Sequence, residues 1–314
     1  ISKSNVYIAG QTAPGDGITI KGGKLQVMPV WGVTPPHDIV IRYLRSRPGD
    51  ISQISGSEGD YAIGLVGEET VYNIVLDHVS TSWTCDGLIN THGPLRDITV
   101  SWSILSEAFY PCSGRAFLIT SYGEKEEDRI NVHHNLFAHS EGRNPLIYSE
   151  NLGIVSTFDV RNNIVYNYRY EASGIMGSSN LNYIGNYIIP GQNSAGYVRG
   201  LGISGTDTIG WPKIYVQKNI GPGRPTESDP EWNITGSGSQ PANESYRSLT
   251  PFSTPSVTTQ SAQQAYDLVL NNAGATLPKR DIVDQRIVND VKNRTGKLIN
   301  SQDEVGGWPV MNSI

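Results

Sequence analysis

Asparagine returns at one place in a run of short β-like segments. These are Ile130–Phe137 (INVHHNLF), Phe158–Val165 (FDVRNNIV), Leu181–Ile189 (LNYIGNYII) and Ile214–Ile220 (IYVQKNI). Within them Asn135, Asn163, Asn186 and Asn219 fall in register, 28, 23 and 33 residues apart, a spacing that marks stacked repeat units. Earlier segments fit the frame without the Asn: Asn5–Gly10, Asp38–Leu44, Asn73–Ser80 and Asp97–Ile104. Each is a short alternating run bounded by Gly, Pro, Asn or Ser.

A strand this short cannot bury its apolar face alone, whereas stacking it on a copy of itself gives a continuous core. No long amphipathic helix separates the central segments, so βαβ winding is excluded. The roughly 15–25 turn-rich residues between segments exceed a hairpin turn. One coil of a parallel β-helix, with two or three strands per turn, uses that length. The alternative is an antiparallel sandwich in which Asn merely marks turns. In the β-helix, Asn would take the left-handed bend conformation it tolerates and hydrogen-bond along the stack.

The 314 residues include 34 Gly and 18 Pro, with 37% hydrophobic and 17% charged residues. A solenoid of this length needs no second core, because each coil touches only its neighbours. No stretch approaches 18 consecutive apolar residues, so no membrane partner is expected. A net charge of −6 argues against nucleic acid. The chain opens directly on a strand-like segment; we expect a secreted, extracellular protein whose signal peptide has been removed. Cys85 and Cys112 follow equivalent strand starts, and either a bridge or two buried thiols fits that placement. Three Asn-X-Ser/Thr triplets, at Asn233, Asn243 and Asn293, matter only if the host glycosylates secreted proteins.

One domain is expected, with coils over 1–220, a loop excursion over 221–255 and a helical tail over 256–314. In Ser261–Ala275 a Ser N-cap precedes Ala265, Leu268 and Val269 at helical spacing; in Arg280–Gly296, Ile282, Val283, Ile287, Val288 and Val291 make one apolar face. Such helices would pack on the solenoid or cover an open end.

The ordered string SNVYIAGQTAPGDGITIKG, DIVIRYLRSRPGD, NIVLDHVSTSW, ITVSWSILSEAF, INVHHNLFAHSEGRNPLI and VRNNIVYNY resembles the pectate lyase family, polysaccharide lyase family 1. It is most similar to a bacterial branch described as probable pectate lyases, as is the tail AGATLPKRDIVDQRIV…VGGWP. The resemblance implies an all-β fold, a right-handed parallel β-helix, with the C-terminal helical segments packed on it. It also implies a lyase that cleaves α-1,4-polygalacturonate by β-elimination with Ca²⁺, acts on acidic polysaccharide (polygalacturonate or pectin), and works as a monomer.

β-Elimination removes the weakly acidic C5 proton beside a uronate carboxylate and expels the C4 oxygen. It therefore needs a base and a way to neutralise that carboxylate. By resemblance the base is the Arg of the R-x-P following HHN, here Arg143. A guanidinium is ordinarily protonated to above pH 12, so nearby cations must weaken its hold on the proton, or it stabilises the carbanion instead. Ca²⁺, a hard cation taking six to eight oxygens, would be held by Asp60, Asp86 and Glu58. The family's Glu four residues before Asp86 is here the neutral Ser82, and one extra residue follows Asp60. The family's substrate-binding Lys is absent, and Arg115 offers a fork suited to carboxylates. A second family Arg is replaced by Tyr148, a further substrate-binding candidate. These departures leave room for another uronide or a partly methylated chain.

His78, His133 and His134 read as structural, since imidazole suits Ca²⁺ poorly. Arg42, Arg45 and Arg47 read as partners of coil carboxylates. Two competing readings stand beside the lyase. A polygalacturonase-like hydrolase would need clustered Asp, yet only Asp86 has a suggestive context. A non-catalytic glycan-binding solenoid would explain the missing Glu and Lys.

Overall fold

The computed structural model describes residues 1–50, 61–110, 112, 114–121, 127–150, 155–195, 199–236 and 240–310. Their strands form three parallel sheets of eight, seven and seven members. Sheet A runs from Val6–Ala9 to Lys213–Gln217, sheet B from Ile18–Lys21 to Tyr187–Ile189, and sheet C from Leu25–Val27 to Leu201–Ser204. Sheet neighbours are every third strand in sequence, so the chain visits A, B and C once per coil. This is a parallel β-helix, and it excludes the sandwich.

The core is a set of columns. On sheet A, Ile39, Ile74, Ile98, Ile130, Phe158, Leu181 and Ile214 pair in register and are buried. Burying each contributes about 1.5–3 kcal/mol, and a one-residue slip would turn a whole strand outward.

The asparagine ladder is real, but its geometry differs from expectation. The left-handed residues are those just before it: His134, Asn162 and Lys218 at φ 57°, 54° and 56°, and Gly185 at 62°. They turn the chain from sheet A to sheet B and free the next residue to point inward. Asn135 Nδ2 donates to Asn163 Oδ1 at 3.0 Å, Asn163 to Asn186 at 3.1 Å, and Asn186 to Asn219 at 3.0 Å. Each acceptor oxygen also takes the backbone N–H of the Asn one coil earlier. Buried backbone groups left open by the corner are thereby satisfied.

Helices α1 (Ala262–Asn272) and α2 (Ile282–Asn293) cover the outer face of sheet B. Ser261 and Gln264 form a reciprocal capping box at the start of α1. The buried stripe is narrower than expected: Ile282 and Leu268 are exposed, while Val269, Leu270, Ile287, Val288 and Val291 pack on Ile104, Leu136 and Ile164. Arg47 meets Asp281 and Asp284, the latter at 2.9 Å, and Arg45 lies 3.3 Å from Asp281. Their partners are therefore tail carboxylates on α2 and its cap. Only Arg42 pairs within the coils, with Asp77 at 2.7 Å. In the 221–255 segment, Trp232 and Ile234 join the main core, and two bridges, Leu201 to Thr235 and Ile214 to Arg247, continue the stacking.

Candidate active site

Cover is uneven. Sheet B lies beneath the helices, and the late coils of sheet A lie beneath the strap around 252–260, where Phe252 N donates to Asn182 Oδ1 at 2.9 Å and Gln260 bonds His134. The outer face of sheet C keeps half-exposed Asn90, Leu118, Leu146, Tyr148 and Met176. Positions Gly64, Asn90, Leu118, Leu146, Gly174 and Gly202 pair across its strands as an uncharged floor.

Charge enters three residues earlier on the last four of these coils. Arg115, Arg143, Glu171 and Arg199 are spaced 28 residues apart, each three before a floor position, and so occupy successive coils. Arg143 is left-handed, at φ 59°, and its carbonyl accepts from Phe117 N at 2.7 Å; Asn144 N donates to Ala172 O at 3.0 Å. The arginine's backbone is thus tied to the coils on both sides, which holds a conformation costly for a non-glycine residue. Burial raises the Glu171 carboxyl above the usual range, opposed by the Arg143 and then the Arg115 guanidinium. Glu141 is likewise raised by burial and opposed by Arg115.

Beside Arg143 rises an aromatic rim. The Arg169 guanidinium lies 4.8 Å from the Tyr110 ring centroid and 4.7 Å from that of Tyr170, and it bonds the Tyr110 hydroxyl. Tyr148 projects from the strand Leu146–Ser149 and donates to Glu150 Oε1 at 2.5 Å.

Asp86 directly precedes the strand Gly87–His92, two strands from the one that follows Arg143, or about 10 Å at ordinary strand spacing. Its neighbour Cys85 is bridged to Cys112, which ties the coil of Asp86 to that of Arg115. Of the two arrangements open from sequence, the structure has the bridge. Ser82 is buried in sheet B, 3.0 Å from Ser106 Oγ, and does not share the face of Asp86. The residue four after Asp86 is better placed: Asn90 stands on that floor, with a buried side-chain oxygen that lacks a hydrogen-bond partner. Glu58 and Asp60 lie outside the described residues. Among the described residues no three His, Cys, Asp or Glu side chains converge to hold a metal. Asp86 and Asn90 supply too few of the six to eight oxygens Ca²⁺ takes, so the described residues do not by themselves form its site.

Tyr43, His78, Trp102 and His134 stack face to face along the corner between sheets A and B. His133, on the adjoining strand, is depressed by burial to about 4. These histidines are structural. Sequence reasoning missed Glu171, Glu141 and Arg169; the 28-residue spacing from Arg115 to Arg143 points straight to Glu171.

No protein-family model matches the chain. It is similar to probable pectate lyase C of Aspergillus flavus, 29% identical over 320 residues covering 98% of this chain and 67% of the relative. The Aspergillus fumigatus protein of that name is also 29% identical, over 99% of this chain and 68% of its own length. The chain is thus similar over nearly its whole length to proteins named probable pectate lyase. Among solved structures, a pectate lyase from Bacillus sp. N165 in complex with trigalacturonate superposes with a TM-score of 0.55 at 18% identity, covering 86% of this chain and 75% of that one. The major allergen from cedar pollen gives 0.52 at 16% identity, over 87% and 78%. Both share the parallel β-helix with this chain. The curated relatives are fungal, whereas the motif string resembled a bacterial branch.

Proposed function

We propose that the protein is an extracellular polysaccharide lyase that cleaves pectate or a related uronan by β-elimination on the open face of sheet C. The observation carrying this reading is the juxtaposition, on successive coils, of Arg115 and Arg143 above an uncharged floor. The relatives' names support it. Arg115, through its planar fork, takes a uronate carboxylate and draws charge toward itself. Arg143, one coil on, faces the reacting sugar. The C5–H bond breaks first, leaving a carbanion whose charge spreads into the adjacent carboxylate. That electron pair then forms the C4–C5 double bond as the C4–O bond breaks, and the departing oxygen takes a proton from solvent. Arg143 either receives the C5 proton or, remaining protonated while a solvent base takes that proton, holds the negative charge spreading over C5 and its carboxylate; Glu171 beside it favours the second role. Tyr148 borders the floor two residues beyond Leu146 on the same strand and contacts the sugar.

Ca²⁺ enters this reading as an ion held by Asp86, Asp60 and Glu58 and completed by substrate oxygens; when bound, it neutralises a uronate carboxylate. Its place rests on the family resemblance. We expect a monomer.

The test is incubation with polygalacturonate and with methylated pectin, with and without Ca²⁺, following the ultraviolet absorbance of the unsaturated product. Absorbance that grows with wild type and disappears in Arg143→Ala supports the reading. Folded protein that yields none on any uronan sinks it.

A further inference from the structure

The row of charges along sheet C changes sign at one coil. Arg115 and Arg143 are followed at the next equivalent position by Glu171, and that carboxyl leans over the floor. A Cβ built on Gly174 would lie 3.2 Å from Glu171 Oε2, and one built on Gly202 would lie 3.0 Å from it. Two successive floor positions are thus glycine, leaving the space that the carboxyl occupies. Arg199, one coil further on, reaches toward the 221–255 segment: its Nη1 donates to Asn233 O at 2.8 Å, beside Gly223. Next to Glu171, Tyr170 stands 56% exposed, with Arg169 over its ring. Beneath lies the Leu146 side chain, 2.8 Å from the position a Gly174 Cβ would take.

Side chains one coil apart are separated by about 4.8 Å, so a polymer lying across the strands meets them in turn. An anionic sugar is welcome over Arg115 and Arg143. Over the glycine pair it would face a carboxyl instead, and like charges there cost affinity. An apolar floor and an exposed tyrosine ring suit a neutral sugar at that place.

We propose that Glu171 is a specificity-determining residue that makes the cleft select a uronan carrying a neutral unit, a methyl-esterified uronate or an uncharged sugar, immediately on the Glu171 side of the cleaved residue. This rests on the lyase reading above and narrows its substrate class. The groups facing Glu171 are Arg115 and Arg143 from the two preceding coils and, on the adjoining loops, Glu141, which meets Arg115 and Tyr170, with Arg169 3.4 Å from Glu141 and over the Tyr170 ring. Burial raises its carboxyl, so the selection sharpens as pH rises and the carboxyl ionises, and fades as it takes up a proton.

The experiment compares kcat/KM on fully de-esterified polygalacturonate and on partly methyl-esterified pectin, across pH, for wild type and Glu171→Gln. Wild type is expected to favour the partly esterified polymer by about tenfold, about 1.4 kcal/mol, with a pH-dependent ratio. Glu171→Gln should bring the ratio near one and remove its pH dependence. An unchanged ratio and profile in the variant overturns the proposal while leaving the lyase reading intact. Activity on no uronan by either protein defeats the lyase reading, and this proposal with it. Wild type alone supplies an arm independent of the variant's folding: mass spectrometry of products from partly esterified oligomers. A methyl ester at a fixed position relative to the new unsaturated end supports the proposal, and random placement overturns it.

Discussion

Two clusters of arginine and carboxylate sit on opposite sides of this solenoid, and their fates differ. Beneath α2, Arg45 and Arg47 are fully buried and meet Asp281 and Asp284 at fixed distances, with Ser80 bonding Asp284 as well. On sheet C, Arg115, Arg143 and Glu171 are only half-buried and are stacked one per coil. The first cluster is closed: every charge was taken from water and matched when the tail docked. The second opens onto the uncovered outer face of sheet C, where a ligand's charge can enter. The same residue types thus fasten the molecule in one place and offer chemistry in the other, and the difference lies in what covers the sheet.

Single substitutions should separate these roles. Arg143→Ala is expected to lower kcat on uronan by about 10³-fold, about 4 kcal/mol of barrier, with the thermal midpoint almost unmoved; product absorbance and a melting curve report both. Asp284→Ala should do the reverse. It leaves Arg47 buried with only part of its partner set, costing about 3 kcal/mol of stability, while activity well below the lowered midpoint stays near wild type. If Asp284→Ala abolished activity in folded protein, the division drawn here would fail. Asn163→Ala, which breaks the ladder through the later coils, should cost about 2 kcal/mol by orphaning buried backbone groups, as read by denaturant unfolding. Arg115→Ala should raise KM about tenfold, about 1.4 kcal/mol, with a smaller change in kcat.

Glu127 sharpens the contrast. It is as buried as Asp284 but faces Thr91 in place of a guanidinium, and burial pushes its carboxyl well above the usual range. Between its unfolded pKa, about 4.3, and the higher folded one, the native state holds the extra proton. Stability therefore falls as pH rises through that window. Glu127→Gln should flatten this slope and raise the melting midpoint more at pH 8 than at pH 5. Equal gains at both would show that Glu127 is not protonated in the fold.

The architecture was legible because its signals are local and repeated. The Asn register, the alternating strands and the Ser261 cap are all written within a few residues of where they act. The site was only half legible. Arg115 and Arg143 stood out through motif reading and hold equivalent positions on successive coils, while Asp86 lies just before the strand of the preceding coil. Ser82 was a misleading partner, because four residues earlier in the chain means another sheet. Arg45 and Arg47 found carboxylates more than 230 positions away, a distance no local pattern reports.

By itself the sequence determined the coil. Alternation fixed which side chains face inward, and the repeat made each strand bury its neighbour. Tertiary structure decided which of three similar sheets would remain open. That depended on where the tail helices and the strap came to rest, and so on long-range packing free energy. Only that docking left a 28-residue spacing as a row of charges beside an open sheet.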